Sequence, residues 1–161
     1  MFASFASRLL LAILGVAMLA LAACSAAAPA SAPTTGQSAS TTAGTQLSDP
    51  WTRPAGSGAN GAVYLTMRNT GSAPDSLIKA ESDVAKAVEL HKTEMKDGVM
   101  SMSPVAAMDV PAGGELTLKP GEFHIMLIGL NKDIKADDTI KVKLQFEKAG
   151  PMEVTAKARS Q

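Results

Sequence analysis

Reactive sulfur is nearly missing from this chain: one cysteine, Cys24, stands in 161 residues. A single thiol excludes an intrachain disulfide framework and any Cys-x-x-Cys metal or redox chemistry. Aromatic residues make up only 4% and the formal net charge is zero, so the stacking platforms and the basic surface that nucleic-acid recognition needs are both absent. Two histidines, His91 and His124, leave little material for acid–base catalysis. No Gly-x-Ser-x-Gly elbow and no His-Glu-x-x-His pattern occurs, and hydrolytic chemistry therefore has little to stand on. What the chain does hold is methionine, nine residues of it, and abundant alanine.

The length allows one domain with an appendage. At the amino end Arg8 precedes an apolar stretch from Leu9 to about Leu21, and small residues then lead to Cys24. This is the layout of a secretory signal peptide over residues 1–23; the apolar run is shorter than the roughly 20 residues of a membrane span. Leu21-Ala22-Ala23-Cys24 resembles a bacterial lipobox, in which Cys24 is lipidated and becomes the first residue of the mature chain. Cleavage after an Ala-x-Ala, or an uncleaved anchor helix, are the alternatives. Residues 24–46 continue almost entirely in Ala, Ser, Thr, Pro and Gly, without charge. Such a segment cannot bury enough surface to offset its conformational entropy and reads as a flexible tether, with an r.m.s. reach of about 25 to 30 Å. The expected product is an extracytoplasmic domain, anchored by lipid to a bacterial membrane and free of thiols.

From Leu47 the pattern changes to short runs of strand character divided by turn residues. Runs over residues 62–68, 76–81, 87–91, 98–103, 107–110, 115–119, 123–130, 139–147 and 152–158 read as strands. Alternation is clearest in Ile140-Lys141-Val142-Lys143-Leu144-Gln145-Phe146. The only helix candidate is Asp83-Val84-Ala85-Lys86. Many short strands in one domain, residues 47–161, predict an all-β sandwich or Greek-key barrel. Two catalytic look-alikes fail on context. The spaced glycines of residues 56–61 precede a strand, whereas a dinucleotide phosphate needs a helix amino terminus. Ser76-Leu77-Ile78-Lys79 looks extended, whereas a Ser-x-x-Lys site needs one helical turn.

The histidines are better placed for chemistry. In a strand, residues i and i+2 share a face, so His124 and Met126 project together about 6.5 to 7 Å apart. If residues 92–98 fold back as a hairpin, His91 and Met102 become neighbours, and the strand from Phe123 supplies the other two. Thioether sulfur is soft and uncharged, unsuited to magnesium, calcium or zinc, whereas Cu(I) accepts thioether and imidazole alike. Methionine also has no proton to compete with the metal and forms no disulfide, an advantage outside the cytoplasm. Met67, Met108 and Met152 fit simple core filling; Met95 and Met100 stand near enough in sequence to approach the same site.

The spacing His-(x)10-Met-(x)21-His-x-Met, here His91, Met102, His124 and Met126, resembles the signature of the PCuAC family of periplasmic copper chaperones. Asp49-Pro50-Trp51-Thr52-Arg53-Pro54-Ala55, Gly61-Ala62-Val63-Tyr64-Leu65, Val88-Glu89-Leu90-His91 and Val110-Pro111-Ala112-Gly113-Gly114 resemble it as well. The resemblance covers residues 47–158 and implies a cupredoxin-like Greek-key β-barrel. It also implies one Cu(I) at an exposed site and delivery, not catalysis, toward the binuclear copper centre of cytochrome c oxidase subunit II, directly or through a Sco-type protein. Residues 150–161 contain no histidine and one methionine, Met152, so a second, tail-borne copper is not expected. A monomer without nucleic-acid partners follows. The competing readings are a blue-copper electron carrier, which needs a cysteine thiolate, and an anchored β-sandwich for protein binding or copper storage and resistance.

Overall fold

The structure, a computed structural model, describes residues 40–42 and 44–160. The expected signal peptide, Cys24 and most of the tether lie outside the described residues. Eleven strands follow in order: β1 (Ser40–Thr42), β2 (Thr45–Thr52), β3 (Gly61–Asn69), β4 (Asp75–Glu81), β5 (Ala85–Lys96), β6 (Val99–Pro104), β7 (Met108–Val110), β8 (Glu115–Thr117), β9 (Phe123–Leu130), β10 (Thr139–Phe146) and β11 (Pro151–Ala158). The described residues contain no helix.

The strands form one path, β6-β5-β9-β3-β2-β11-β10-β4-β7, with β1 added to β2 and β8 to β3. Most pairs are antiparallel; β11 meets β2 in parallel. Inward residues from both halves of this path, such as Val63, Leu65, Leu90, Ile125, Val142, Leu144 and Phe146, meet in a single buried cluster. One continuous sheet can enclose one core only by curling on itself, and the non-sequential neighbours β5-β9-β3, β2-β11 and β10-β4 are Greek-key crossovers. The expected all-β barrel is therefore the observed architecture. Strand β2 bulges between Ser48 and Trp51, where Asp49 adopts a φ of 50°, and this shifts the register of the second half of the strand.

Three local expectations change. The helix candidate at residues 83–86 is a turn followed by the start of β5. Asn131 takes the carbonyls of both residues, its amide N–H donating to Val84 at 2.8 Å and its side chain to Asp83 at 3.1 Å, so no helical turn can use them. Residues 40–42 and 45–46, expected as tether, pair as strands, because β1 folds back on β2 through Gly44, whose φ of 90° a residue with a Cβ tolerates poorly. The Gly44 carbonyl accepts from the Thr70 amide at 2.7 Å, and Thr45 is buried against Asp75, so these residues belong to the domain. The expected loop over residues 92–98 is mostly strand. β5 runs on to Lys96, and the turn is only Asp97-Gly98, with φ of 51° and 79°, the two positive angles of a tight hairpin.

Asp75 ties the far end of the barrel together. Its buried carboxylate accepts amide hydrogen bonds from Ser76 and Lys148 at 2.8 Å and from Ala149 at 3.0 Å. Burial alone raises this carboxyl's pKa, but the backbone N–H groups of Lys148, Ala149 and Ser76 and the Thr45 hydroxyl outweigh it and hold the pKa below the ordinary value.

Candidate metal centre

The site grows from the pairing of β5 with β9. Both strands alternate, with Leu90 and Ile125 turned into the core, which leaves Glu89, His91 and Thr93 and, on β9, His124 and Met126 on the opposite face. The register sets His91 directly across from His124 and Glu89 across from Met126. The two imidazole centroids are 5.8 Å apart, with ring planes inclined by 50°. On the other side of β5, β6 sets Met102 opposite Thr93 and Pro104 opposite His91. Met102 is thus diagonal to His91 and not directly across from it, still within reach of a long side chain.

Hydrogen bonding fixes which nitrogen each ring presents. His91 Nε2 lies 2.9 Å from Glu89 Oε2. A carboxylate can only accept, so Nε2 carries the proton and Nδ1 of the neutral ring is bare. That Nδ1 is buried and has no hydrogen-bond partner. His124 is set the other way: its Nδ1–H donates to the Glu122 carbonyl at 3.0 Å, leaving Nε2 bare. The same carbonyl accepts the Thr93 amide at 3.2 Å, which anchors it. Each ring is oriented as metal-binding histidines are, by a hydrogen bond from the nitrogen that does not coordinate.

The rings extend a row across the sheet. Trp51 on β2 stacks on Tyr64 at 4.5 Å, and Tyr64 lies 6.5 Å from His124. Burial pushes the Tyr64 phenol upward, with the Arg53 charge opposing, so this wall of the site stays neutral. Arg159 stacks over Trp51 at 5.0 Å and pairs with Asp49 at 2.8 Å. Beside the row lies a cleft of about 370 Å³ whose lining includes Tyr64, Met100, Met102, His124 and Met126. Three of the four residues expected from sequence therefore open onto one cleft, and the fourth, His91, stands against His124. Met95 does not line it. His124 is 5% exposed and Met102 57%, so the centre has a buried nitrogen side and an open sulfur side. No group of three or more His, Cys, Asp or Glu side chains suited to a metal occurs among the described residues.

Sequence reasoning missed Glu89, although it stands two residues before His91 and so shares its face. The Glu122 carbonyl carries no side-chain signal and could be found only in three dimensions.

Fold and site together define a class: a curled all-β domain with an imidazole and thioether cluster at one sheet edge. The chain belongs to the LpqE-like family, whose profile matches residues 45–158. A relative from Leifsonia xyli subsp. xyli, named "Putative lipoprotein Lxx21020", is 38% identical over 130 residues, 80% of this chain and 76% of that protein. Among solved structures, the copper-bound PCuAC domain from PmoF2 aligns with a TM-score of 0.65 at 22% identity, over 77% of this chain and 99% of that one. The CuI form of DR1885 from Deinococcus radiodurans aligns with a TM-score of 0.50 at 26% identity, over 68% and 76%. The resemblance to PCuAC domains thus holds at the level of the whole fold.

Proposed function

We propose that this protein is an extracytoplasmic copper(I) chaperone that holds one ion between His91 Nδ1, His124 Nε2 and the thioethers of Met102 and Met126. The observation that carries this reading is the pair of bare imidazole nitrogens, one of them buried without a partner. An unpaired buried polar atom costs on the order of 1–3 kcal/mol, and a bound ion removes that cost. The donor set is neutral and half sulfur, which suits Cu(I) or Ag(I) and not a hard cation. Copper in the matched PmoF2 and DR1885 structures supports the same cargo here. The Leifsonia relative's name supports the lipid anchor at Cys24, with a signal peptide over 1–23, a tether from 24 and the copper domain behind it.

Delivery follows from ligand exchange rather than catalysis. A thioether has no proton to lose, so the two sulfur bonds form and break without acid–base steps. Met102, on the exposed edge strand β6, is the bond an incoming donor reaches first. His124, buried and fixed to a backbone carbonyl, is the last to let go. The acceptor in this proposal is cytochrome c oxidase subunit II, directly or through a Sco-type protein, as the family resemblance implies. The open sulfur side favours transfer over storage.

Anaerobic titration of the purified protein with Cu(I), against a chelator of known affinity, tests the assignment. One equivalent is expected to bind tightly, and His124→Ala to weaken it by about 100-fold or more, some 2.7 kcal/mol. Absence of competitive binding overturns the chaperone reading. Glu89→Ala removes no proposed ligand, only the group that keeps the proton on His91 Nε2. It is expected to cost about 10- to 100-fold in Cu(I) affinity with little change in thermal stability, since Glu89 is exposed. Unchanged affinity in that variant would show that the Glu89 contact does not set the tautomer.

A further inference from the structure

The β5–β6 hairpin extends beyond the barrel. β9 pairs with β5 as far as Lys92, and the Thr93 amide still donates to the Glu122 carbonyl at 3.2 Å; from Glu94 to Ser101 the two strands of the hairpin pair only with each other. Every residue of β6 is exposed. On this arm the register sets Met95 opposite Met100 and Thr93 opposite Met102. Because i and i+2 share a face, Met95, Met100 and Met102 lie on the same face as His91. They are 66%, 63% and 57% exposed.

Packing does not account for these three side chains. An edge ribbon in water is usually protected with charge, and β-branched or aromatic residues suit strands better than methionine. Soft-metal chemistry does account for them. Three uncharged thioethers on one face, two of them directly across from each other, are a donor set for Cu(I) or Ag(I) and for little else. Met100 also lines the cleft with Met102, His124 and Met126, so the arm and the centre are contiguous.

We propose that Met95, Met100 and Met102 form a second, weaker soft-metal site, a landing site from which the ion passes inward. The proposal rests on the chaperone reading for its direction, though the site itself does not. Met102 belongs to both sites. The ion keeps its bond to Met102 while the Met95 and Met100 thioethers are replaced, one at a time, by Met126 and the two imidazole nitrogens. No electron or proton moves, and the coordination is never fully broken. Sharing Met102 also means that the sites are filled in turn and not together.

Ag(I), which needs no reductant, is the probe, and methyl-13C-methionine NMR is the readout. In His91→Ala/His124→Ala, which lacks both nitrogens of the inner site, Ag(I) is expected to shift the methyls of Met95, Met100 and Met102. Adding Met95→Leu and Met100→Leu should weaken that Ag(I) binding by about 100-fold. In the otherwise native protein, Met95→Leu/Met100→Leu should slow Cu(I) loading from a chelator by about tenfold and leave the filled state ligated by His91 and His124. Leucine preserves the apolar surface, so a slowing cannot be assigned to lost hydrophobic docking. Unmoved Met95 and Met100 methyls, or native loading rates in the double variant, overturn the landing site. So does loss of the inner site's equilibrium affinity, which would make Met100 a resident ligand. If the arm methyls respond but the native protein fails to compete for Cu(I), the chaperone reading falls and the arm site stands.

Discussion

Met102→Leu/Met126→Leu is expected to remove tight Cu(I) binding while leaving the barrel intact. The exchange conserves volume and apolarity, and such swaps cost less than about 1.5 kcal/mol even in cores. Here Met102 is more than half exposed and Met126 only partly buried, so the cost should be smaller. Binding should respond very differently, because both sulfur donors vanish and the two imidazoles alone remain. A loss of about 1000-fold or more, roughly 4 kcal/mol, is the expected result of competition titration. Thermal unfolding run alongside should give a Tm within a few degrees of the parent. Stoichiometric, tight Cu(I) in the double variant would show that the thioethers are packing and not ligands. It would return Met102 to the same class as Met67 and Met108, which are buried in the core.

The second large effect is on stability. Asp75→Ala takes the acceptor from three backbone amides, those of Ser76, Lys148 and Ala149, in a buried position. An orphaned buried donor costs about 1–3 kcal/mol; with the Ala149 bond buried and those of Ser76 and Lys148 part-buried, a total of about 3 kcal/mol is expected, lowering the Tm by about 10 °C in a domain of this size. The sign of the pH effect follows from the depressed carboxyl. Its folded pKa lies below the unfolded one, so its contribution is fully present above the unfolded value, about 3.9. That contribution is lost as pH falls through the still lower folded value. Denaturant titrations between about pH 5 and pH 2 should therefore show stability falling in the parent and a flatter profile in Asp75→Asn. An equally steep profile in the variant would place the acid lability elsewhere. Cu(I) affinity at neutral pH should barely change in Asp75→Asn, since the residue lies on β4 and the centre on β5, β6 and β9.

The strands were legible because they rest on local rules. Period-two alternation marked β10, and the His-x-Met spacing of β9 set His124 and Met126 on one face with no knowledge of the partner strands. What stayed hidden was pairing. Nothing local states that His91 faces His124, since that register depends on how β5 and β9 meet across 32 intervening positions. Residues 92–98 read as a loop, and only 98–103 as strand, because Lys92, Thr93, Glu94 and Lys96 are polar or charged, which in isolation favours coil. Their strand geometry comes instead from the Asp97-Gly98 turn and the partner strand it supplies. The pairing of β1 with β2 is hidden for a similar reason: threonine and serine look linker-like until a buried partner such as Asp75 is found for Thr45.

The two histidines are held by opposite nitrogens, one through a side chain and the other through the main chain. A backbone carbonyl is present whatever residue stands at position 122, so the grip on His124 is insensitive to substitution there. The grip on His91 depends on Glu89 alone, and the sulfur arm depends on side chains throughout. Of the four candidate donors, one is therefore oriented by the fold itself, and the other three depend on side chains that can change without touching the strands that keep the domain folded.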